Sequence, residues 1–281
     1  MSHPAPRVRL DLAYDGTDFH GWAAQPGRRT VAGELTGALD RLVGAPEGPQ
    51  AAAGRAYGLT VAGRTDAGVH ATGQVCHVDL PAERWQRVAD TMLRRLAGVL
   101  PADVRVTAVT LVSPEFDARF SALRRRYRYR VSDAPYGVDP LRRRDTLAWP
   151  RPLDLDLLRA ASGGLVGKHD FAAFCRRKES GTTTRTVTQL DWHRDAGGAL
   201  VATVAADAFC QAMVRSLVGA LLAVGEGHRP VHWPEELLAR TGRASEVRVA
   251  PAHGLVLVGV DYPATPGEWE AQARLTRRRR A

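Results

Sequence analysis

Lysine is nearly missing from this 281-residue sequence: only Lys168 and Lys178 among 39 basic residues carry an ammonium, so its positive charge is almost all guanidinium. Guanidinium forks grip phosphates in a bidentate way, but an Arg-for-Lys bias also follows genome base composition, so the bias alone names no partner. Cysteine is scarce as well. Cys76, Cys175 and Cys210 are odd in number and lack Cys-x-x-Cys spacing, which predicts a reducing compartment and argues against a disulfide framework or a zinc knuckle. Long apolar runs are lacking too. The longest nearly uncharged one, Leu217 to Gly225, is far short of the ~20 residues of a bilayer crossing, and the first residues show no signal-peptide apolar core. The expectation is a cytoplasmic protein.

What remains is ordinary globular material. Hydrophobic residues at 44% and charged residues at 25% exclude a disordered, collagenous or coiled-coil chain. At ~100 to 200 residues per domain, the length allows one large domain or two modest ones. The net charge is +9, and its placement says more than its size. Arg119 to Arg130 holds six arginines and no acid, interleaved with Phe120, Tyr127 and Tyr129. Phosphates supply charge and bases supply faces to stack on, so this mixture suits a nucleic-acid surface, with a solvated strand face as the alternative.

Hydrophobic periodicity gives a repeated order of elements. Arg7 to Asp15 alternates, with Val8, Leu10, Leu12 and Tyr14 on one side, as a half-buried strand does. Leu35, Ala38, Leu39 and Leu42 follow at helical spacing between a Thr30 cap and a Gly44 stop. Strands are expected at Tyr57–Ala62 and Gln74–Leu80, a helix through Trp85, Val88, Met92 and Leu96, and a strand at Val104–Val112. The order β-α-β-β-α-β is the split-βαβ, ferredoxin-like arrangement. The second half repeats it: strand Arg125–Val131, helix Asp154–Leu165, hairpin Val187–Arg194 with Ala199–Ala206, helix Phe209–Val224, short helix Glu235–Arg240 and strand Gly254–Asp261. The predicted fold is α+β, with two ferredoxin-like domains at 7–112 and 113–263 whose antiparallel sheets line a common cleft. Residues 264–281, with five arginines and two glutamates, read as a basic, disordered tail.

Chemistry concentrates in Val61 to Gln74, VAGRTDAGVHATGQ, between two predicted strands, where a loop presents side chains that a sheet positions. Asp66 lies two residues after Arg64, among glycines at 63, 68 and 73. A nearby guanidinium favours the ionised carboxylate, which suits a nucleophile or base, although Asp in a glycine-rich loop also serves as an ordinary turn residue. His70, Cys76 and His77 fall across loop and strand without ligand-type spacing, so no metal is expected.

The run GRTDAGVHATGQV closely resembles the signature of the bacterial tRNA pseudouridine synthase A family. LAYDGTDFHGW from Leu12 to Trp22 resembles the family's opening motif, and FDARFSA from Phe116 with RYRY from Arg126 resembles two more. So do GKHDF from Gly167 with Phe174, TRT from Thr184, MVR from Met213 with Gly219, and APAHGL from Ala250 with Tyr262-Pro263. The likeness runs from about residue 7 to 263. Departures are Ala23 and Ala24 before Gln25, Asp207 where the family usually has Asn, Gln211 and Ala212 where paired histidines are frequent, and no Asn around Leu96–Leu100.

The resemblance implies isomerisation of uridine to pseudouridine in the anticodon stem-loop of tRNA (positions 38 to 40), by a homodimer that needs no cofactor. It implies that Asp66 attacks C1′ or acts at C2′, that Tyr127 stacks on the flipped uracil and helps move the C5 proton, and that Arg215 orients Asp66. It further implies that Arg64 helps expel the base and that Leu255 closes the pocket. Arg126 and Arg128, flanking Tyr127, are expected to bind substrate. Two rivals share these features: a non-catalytic tRNA-binding protein, which would not need the Asp66, Tyr127 and Arg215 set, and a synthase acting on other RNA uridines.

Overall fold

The computed structural model describes residues 5–45, 56–176 and 182–280. The chain forms two compact units, the first from Met1–Leu123 together with Gly259–Arg279 and the second from Arg124–Val258.

In the first unit, strand β1 (Arg7–Tyr14) buries Val8, Leu10 and Leu12 completely, as the alternation predicts. It lies between two antiparallel neighbours, β3 (His70–Asp79) and β4 (Val104–Val112), and the short β2 (Thr60–Val61) pairs with the far side of β3. β3 starts four residues earlier than expected, so the Asp66 motif runs straight into a strand. Helix α1 (Val31–Val43) is capped by the Thr30 side chain, which accepts from the Gly33 amide, and stops at Gly44, where φ is 78°. Leu35 and Leu39 of α1 join Met92 and Leu96 in the core.

The helix expected through Trp85 and Leu96 is two, α2 (Ala82–Val88) and α3 (Met92–Val99). Asp90 and Thr91 fall at the break, and the Thr91 amide and hydroxyl both turn back to the Val88 carbonyl, the competition by short polar side chains that weakens helix interiors.

Residues 264–281, expected to be disordered, contain a helix at Pro266–Arg280. Thr265 and Glu268 set its start, the Glu268 carboxylate accepting from the Thr265 amide at 2.9 Å and hydroxyl at 2.8 Å. Trp269 then packs edge-on against the fully buried Phe116, 5.2 Å between centroids, and Arg277 pairs with Asp117 at 2.8 Å. Net charge suggests a solvated tail, but one partly buried tryptophan packed on Phe116 and a helix start outweigh it.

In the second unit, β5 (Arg124–Ser132) pairs antiparallel with β9 (Leu200–Ala206), β9 with β8 (Thr184–Arg194), and β8 with β7 (Gly167–Asp170), while β6 (Leu147–Ala148) lies parallel to β5. β7 was not foreseen: four residues reading Gly-Lys-His-Asp carry no hydrophobic alternation. Helices α4 (Leu155–Gly163) and α5 (Met213–Gly225) pack together, followed by α6 (Trp233–Glu236). α5 begins four residues later than the apolar run suggests because Ala212 takes a left-handed conformation, φ 64°. Strand β10 (Leu255–Asp261) starts in the second unit and ends in the first. The class is therefore mixed α+β with mostly antiparallel strands.

Cysteine spacing argued against a disulfide, and here the structure corrects it. Cys175 and Cys210 are joined across 35 residues of sequence, with Cα atoms 5.6 Å apart, while Cys76 is buried and free. Tertiary folding brings the pair together, and linear spacing is blind to that.

Candidate functional site

Asp66 sits on the loop between β2 and β3, half-buried, with Arg64 exposed beside it. The loop is seated on the turn that follows β1. The Trp22 amide donates to the Thr65 carbonyl at 3.1 Å, the Gly68 amide to the Phe19 carbonyl at 3.3 Å, and the Gly16 amide to Nδ1 of His70 at 2.9 Å. Two glycines make this fit possible. At Gly21, φ is 91° and a Cβ would come within 2.8 Å of the Thr65 carbonyl; at Gly16 a Cβ would overlap the Val69 carbonyl.

Beneath the loop lies a buried polar chain. Gln74, fully buried, donates from Nε2 to the Gly63 carbonyl at 2.9 Å and to the Tyr14 hydroxyl at 3.1 Å, and the Tyr14 and Thr65 hydroxyls are 2.8 Å apart. Burial pushes the Tyr14 phenol up to about 12, so it remains a neutral donor. Both residues next to or near Asp66, Gly63 and Thr65, are thus fixed from below. A buried network with every member bonded rigidifies what it holds.

His70 and His77 are both committed to main-chain amides, His70 to Gly16 and His77, through Nδ1, to Ala118 at 3.0 Å. Burial and the nearby Arg7 charge lower His77 to about 4. Their role is to join the strand to its neighbouring loops.

The second unit holds the remaining expected residues. Along β5 the side chains alternate: Arg125, Tyr127, Tyr129 and Val131 are buried, while Arg124 and Arg128 are exposed and Arg126 and Arg130 intermediate. Tyr127 and Tyr129 therefore share a face, and Arg126 and Arg128 occupy the other. The strand does not group these two arginines with Tyr127. Tyr129 donates to the Pro251 carbonyl at 2.8 Å, and its ring lies so close to Gly254 that a Cβ there would be 2.6 Å from it; burial raises its phenol. Tyr127 is 7% exposed and meets Phe209 edge to face, 5.2 Å between centroids at 87°.

Arg215 lies in the first turn of α5. Its Nε donates to the Ala250 carbonyl at 2.7 Å, and the Ala250 amide donates back to the Arg215 carbonyl at 3.0 Å. α5 approaches this segment so closely that a Cβ on Gly219 would overlap the Arg248 carbonyl. The same segment continues through the turn Ala252–Gly254 into Leu255, which is buried. Arg215, Tyr129 and the approach to Leu255 are thus one packed group.

Asp207, the departure from Asn, accepts the Thr186 amide at 3.0 Å and the Ala208 amide at 2.7 Å through Oδ1, and its carbonyl accepts from Arg125 at 2.7 Å. These are acceptor roles that a carboxylate oxygen fills as well as an amide oxygen. Sequence reasoning missed Tyr14, Thr65, Gln74 and Phe209 as supports. Tyr14 leaves a signal as an inward position on an alternating strand, and Thr65 and Gln74 stand in the run that carries Asp66, whereas Phe209 leaves none.

Comparison with known proteins gives a consistent set of relatives. A family model described as tRNA pseudouridine synthase matches residues 161–263. Proteins named tRNA pseudouridine synthase A are similar along almost the whole chain. The one from Frankia casuarinae is 57% identical over 277 residues, 99% of this chain and 96% of its own. That from Mycobacterium leprae is 51% identical over 92% of this chain and 90% of its own, and that from Leifsonia xyli 47% identical over 94% of each.

Proposed function

Starting from the fact that this chain belongs to the tRNA pseudouridine synthase A family and is an isomerase that forms pseudouridine in tRNA, we propose that its target uridines lie in the anticodon stem-loop and that Asp66, Tyr127 and Arg215 carry the chemistry. The observation that carries this reading is the rigid seat of the Asp66 loop, built from Tyr14, Thr65 and Gln74. A loop that only turned the chain would not need a fully bonded buried network beneath it.

The reaction breaks the C1′–N1 bond, rotates the uracil, joins C1′ to C5, and replaces the C5 hydrogen by one on N1. Redox state and water balance do not change, so no cofactor is called for. Asp66 attacks C1′ or acts at C2′. Tyr127 offers a flat face to the freed base, and Phe209, edge-on to that ring, holds its plane. Arg215, anchored at Ala250, orients the carboxylate. Arg64, exposed on the Asp66 loop, takes part in expelling the base from its stack, and Leu255 closes the pocket. Arg126 and Arg128, on the opposite strand face from Tyr127, fit backbone phosphates better than the base itself.

The domain reading belongs to the same proposal: ferredoxin-like domains at 7–112 and 113–263, forming a cleft for RNA, in a cytoplasmic homodimer that grips one tRNA with both subunits. Mapping pseudouridines chemically in tRNA from a deletion strain tests the target. Loss confined to the anticodon arm supports the proposal, and loss elsewhere refutes it. Light scattering at micromolar concentration tests the assembly, which a fully active monomer would refute.

A further inference from the structure

We propose that Cys175 and Cys210 form a reversible thiol–disulfide site that clasps the segment carrying Phe209 and leading to Arg215. The inference rests on the reading of Tyr127 and Arg215 as groups that act at the target uridine.

Residues 207–212 link β9 to α5, and this short segment meets the proposed machinery at two places. Phe209 lies edge-on to Tyr127, and Ala212 opens the helix whose first turn bears Arg215. Ala212 is one of two non-glycine residues with positive φ among the described residues. Such a conformation persists only where the surroundings impose it. α5 also lacks a side-chain cap at this end. Something must hold the segment, and three tethers among the described residues tie it to the rest of the unit. Asp207 ties its start to Thr186 and Arg125, the Gln211 carbonyl accepts from the Arg176 amide at 3.0 Å, and Cys210 is bonded to Cys175. The last two tethers join adjacent pairs, 175–176 to 210–211. The Cα atoms of the pair are 5.6 Å apart, within the range that disulfides span.

The two sulfurs differ in a way that sets an order of reaction. Cys210 is partly exposed and Cys175 is 1% exposed. A small-molecule disulfide of the glutathione class is the oxidant. The Cys210 thiolate attacks one of its sulfurs, breaking that S–S bond and releasing one small thiol. The Cys175 thiolate then attacks Sγ of Cys210 in the mixed disulfide, forming the protein bond and releasing the second small thiol. The two cysteines give up two electrons and two protons, which leave on the two small thiols. Two small thiols reverse the sequence. Cys76, buried and with its thiol held up by burial, stays outside this exchange.

The test uses the full chain equilibrated in a series of reduced-to-oxidised glutathione ratios. One portion of each sample is denatured, alkylated and weighed; the other is assayed for single-turnover tritium release from C5-labelled uridine in tRNA, with tRNA affinity measured alongside. The expected result is a passage from three alkylated thiols to one. The single-turnover rate should be at least threefold higher in the oxidised form, at unchanged affinity. Cys210→Ser should hold the reduced-state rate at every ratio. Three alkylatable thiols throughout would refute the site, and equal rates in both states would refute the clasp. Thiol counts do not depend on turnover, so they decide the site even if the assignment of Tyr127 and Arg215 fails.

Discussion

The hydroxyls of Tyr14 and Thr65 meet at 2.8 Å inside the first unit, and Thr65 is the residue immediately before Asp66. The last inward position of the first strand thus reaches the loop proposed to carry the nucleophile. Tyr14→Phe keeps the ring and removes this contact, leaving Thr65 and Gln74 each short of a partner. A buried polar group without its partner costs about 1 to 3 kcal/mol. Urea denaturation should show a loss of that order. The single-turnover rate should fall by roughly tenfold, the scale of about 1.4 kcal/mol of lost positioning, with little change in tRNA affinity.

Asp66→Asn keeps size and removes charge, and an amide neither attacks the sugar nor serves as a base. Tritium release should vanish under single-turnover conditions while the variant still binds tRNA. Clear release would return Asp66 to an ordinary turn role.

Tyr127→Phe preserves both the face toward the base and the edge contact with Phe209. Strong tRNA binding with much slower turnover would place the hydroxyl in the C5 proton transfer, and that is the expected outcome. Near-normal turnover would reduce the ring to a platform.

Binding through phosphates should weaken with salt, roughly 0.7 to 0.9 log units per log unit of salt for each contact neutralised. Arg142, Arg143 and Arg144 are exposed and border the exposed Leu141; Arg142 is paired with Asp145 at 2.6 Å. Replacing all three by alanine should flatten the salt slope of tRNA affinity and leave single-turnover chemistry nearly intact. An unchanged slope would remove them from the RNA surface.

His77 gives a pH prediction. Burial lowers it from 6.5 to about 4, so between those values the unfolded chain takes a proton that the folded chain refuses. Stability therefore falls as pH drops through this window, by about 1.4 kcal/mol per unit for one such group. Comparing urea midpoints at pH 7.5 and 5.0, the parent should lose about 2 kcal/mol more than His77→Gln. Equal losses would assign the acid sensitivity elsewhere.

Legibility in the sequence followed the physics of each element. Strands with one buried face, such as Arg7–Tyr14, announce themselves by alternation, and α1 by its Thr30 cap and Gly44 stop. β7 could not be read because Gly-Lys-His-Asp gains its place from pairing with β8. The start of α5 was misplaced because apolar character continues back through Phe209, whereas the backbone turns at Ala212. The C-terminal helix carried a legible signal, Thr265 three residues before Glu268, which its arginines masked. Of the site, the bearers of chemistry came from motifs. Their supports are tertiary partners, invisible until strands pair.

Phe116 waits for Trp269. The first unit draws part of its substance from Gly259–Arg279, whereas the second is one uninterrupted stretch, Arg124–Val258. On a ribosome the chain emerges in order, so the lid over Phe116 leaves the exit tunnel only after the whole second unit has been made. Nascent first-unit strands must persist with an uncovered aromatic while the later unit closes on itself. Order of synthesis and order of completion are therefore reversed, and a chain halted before Trp269 would display sticky apolar surface of the kind that chaperones bind.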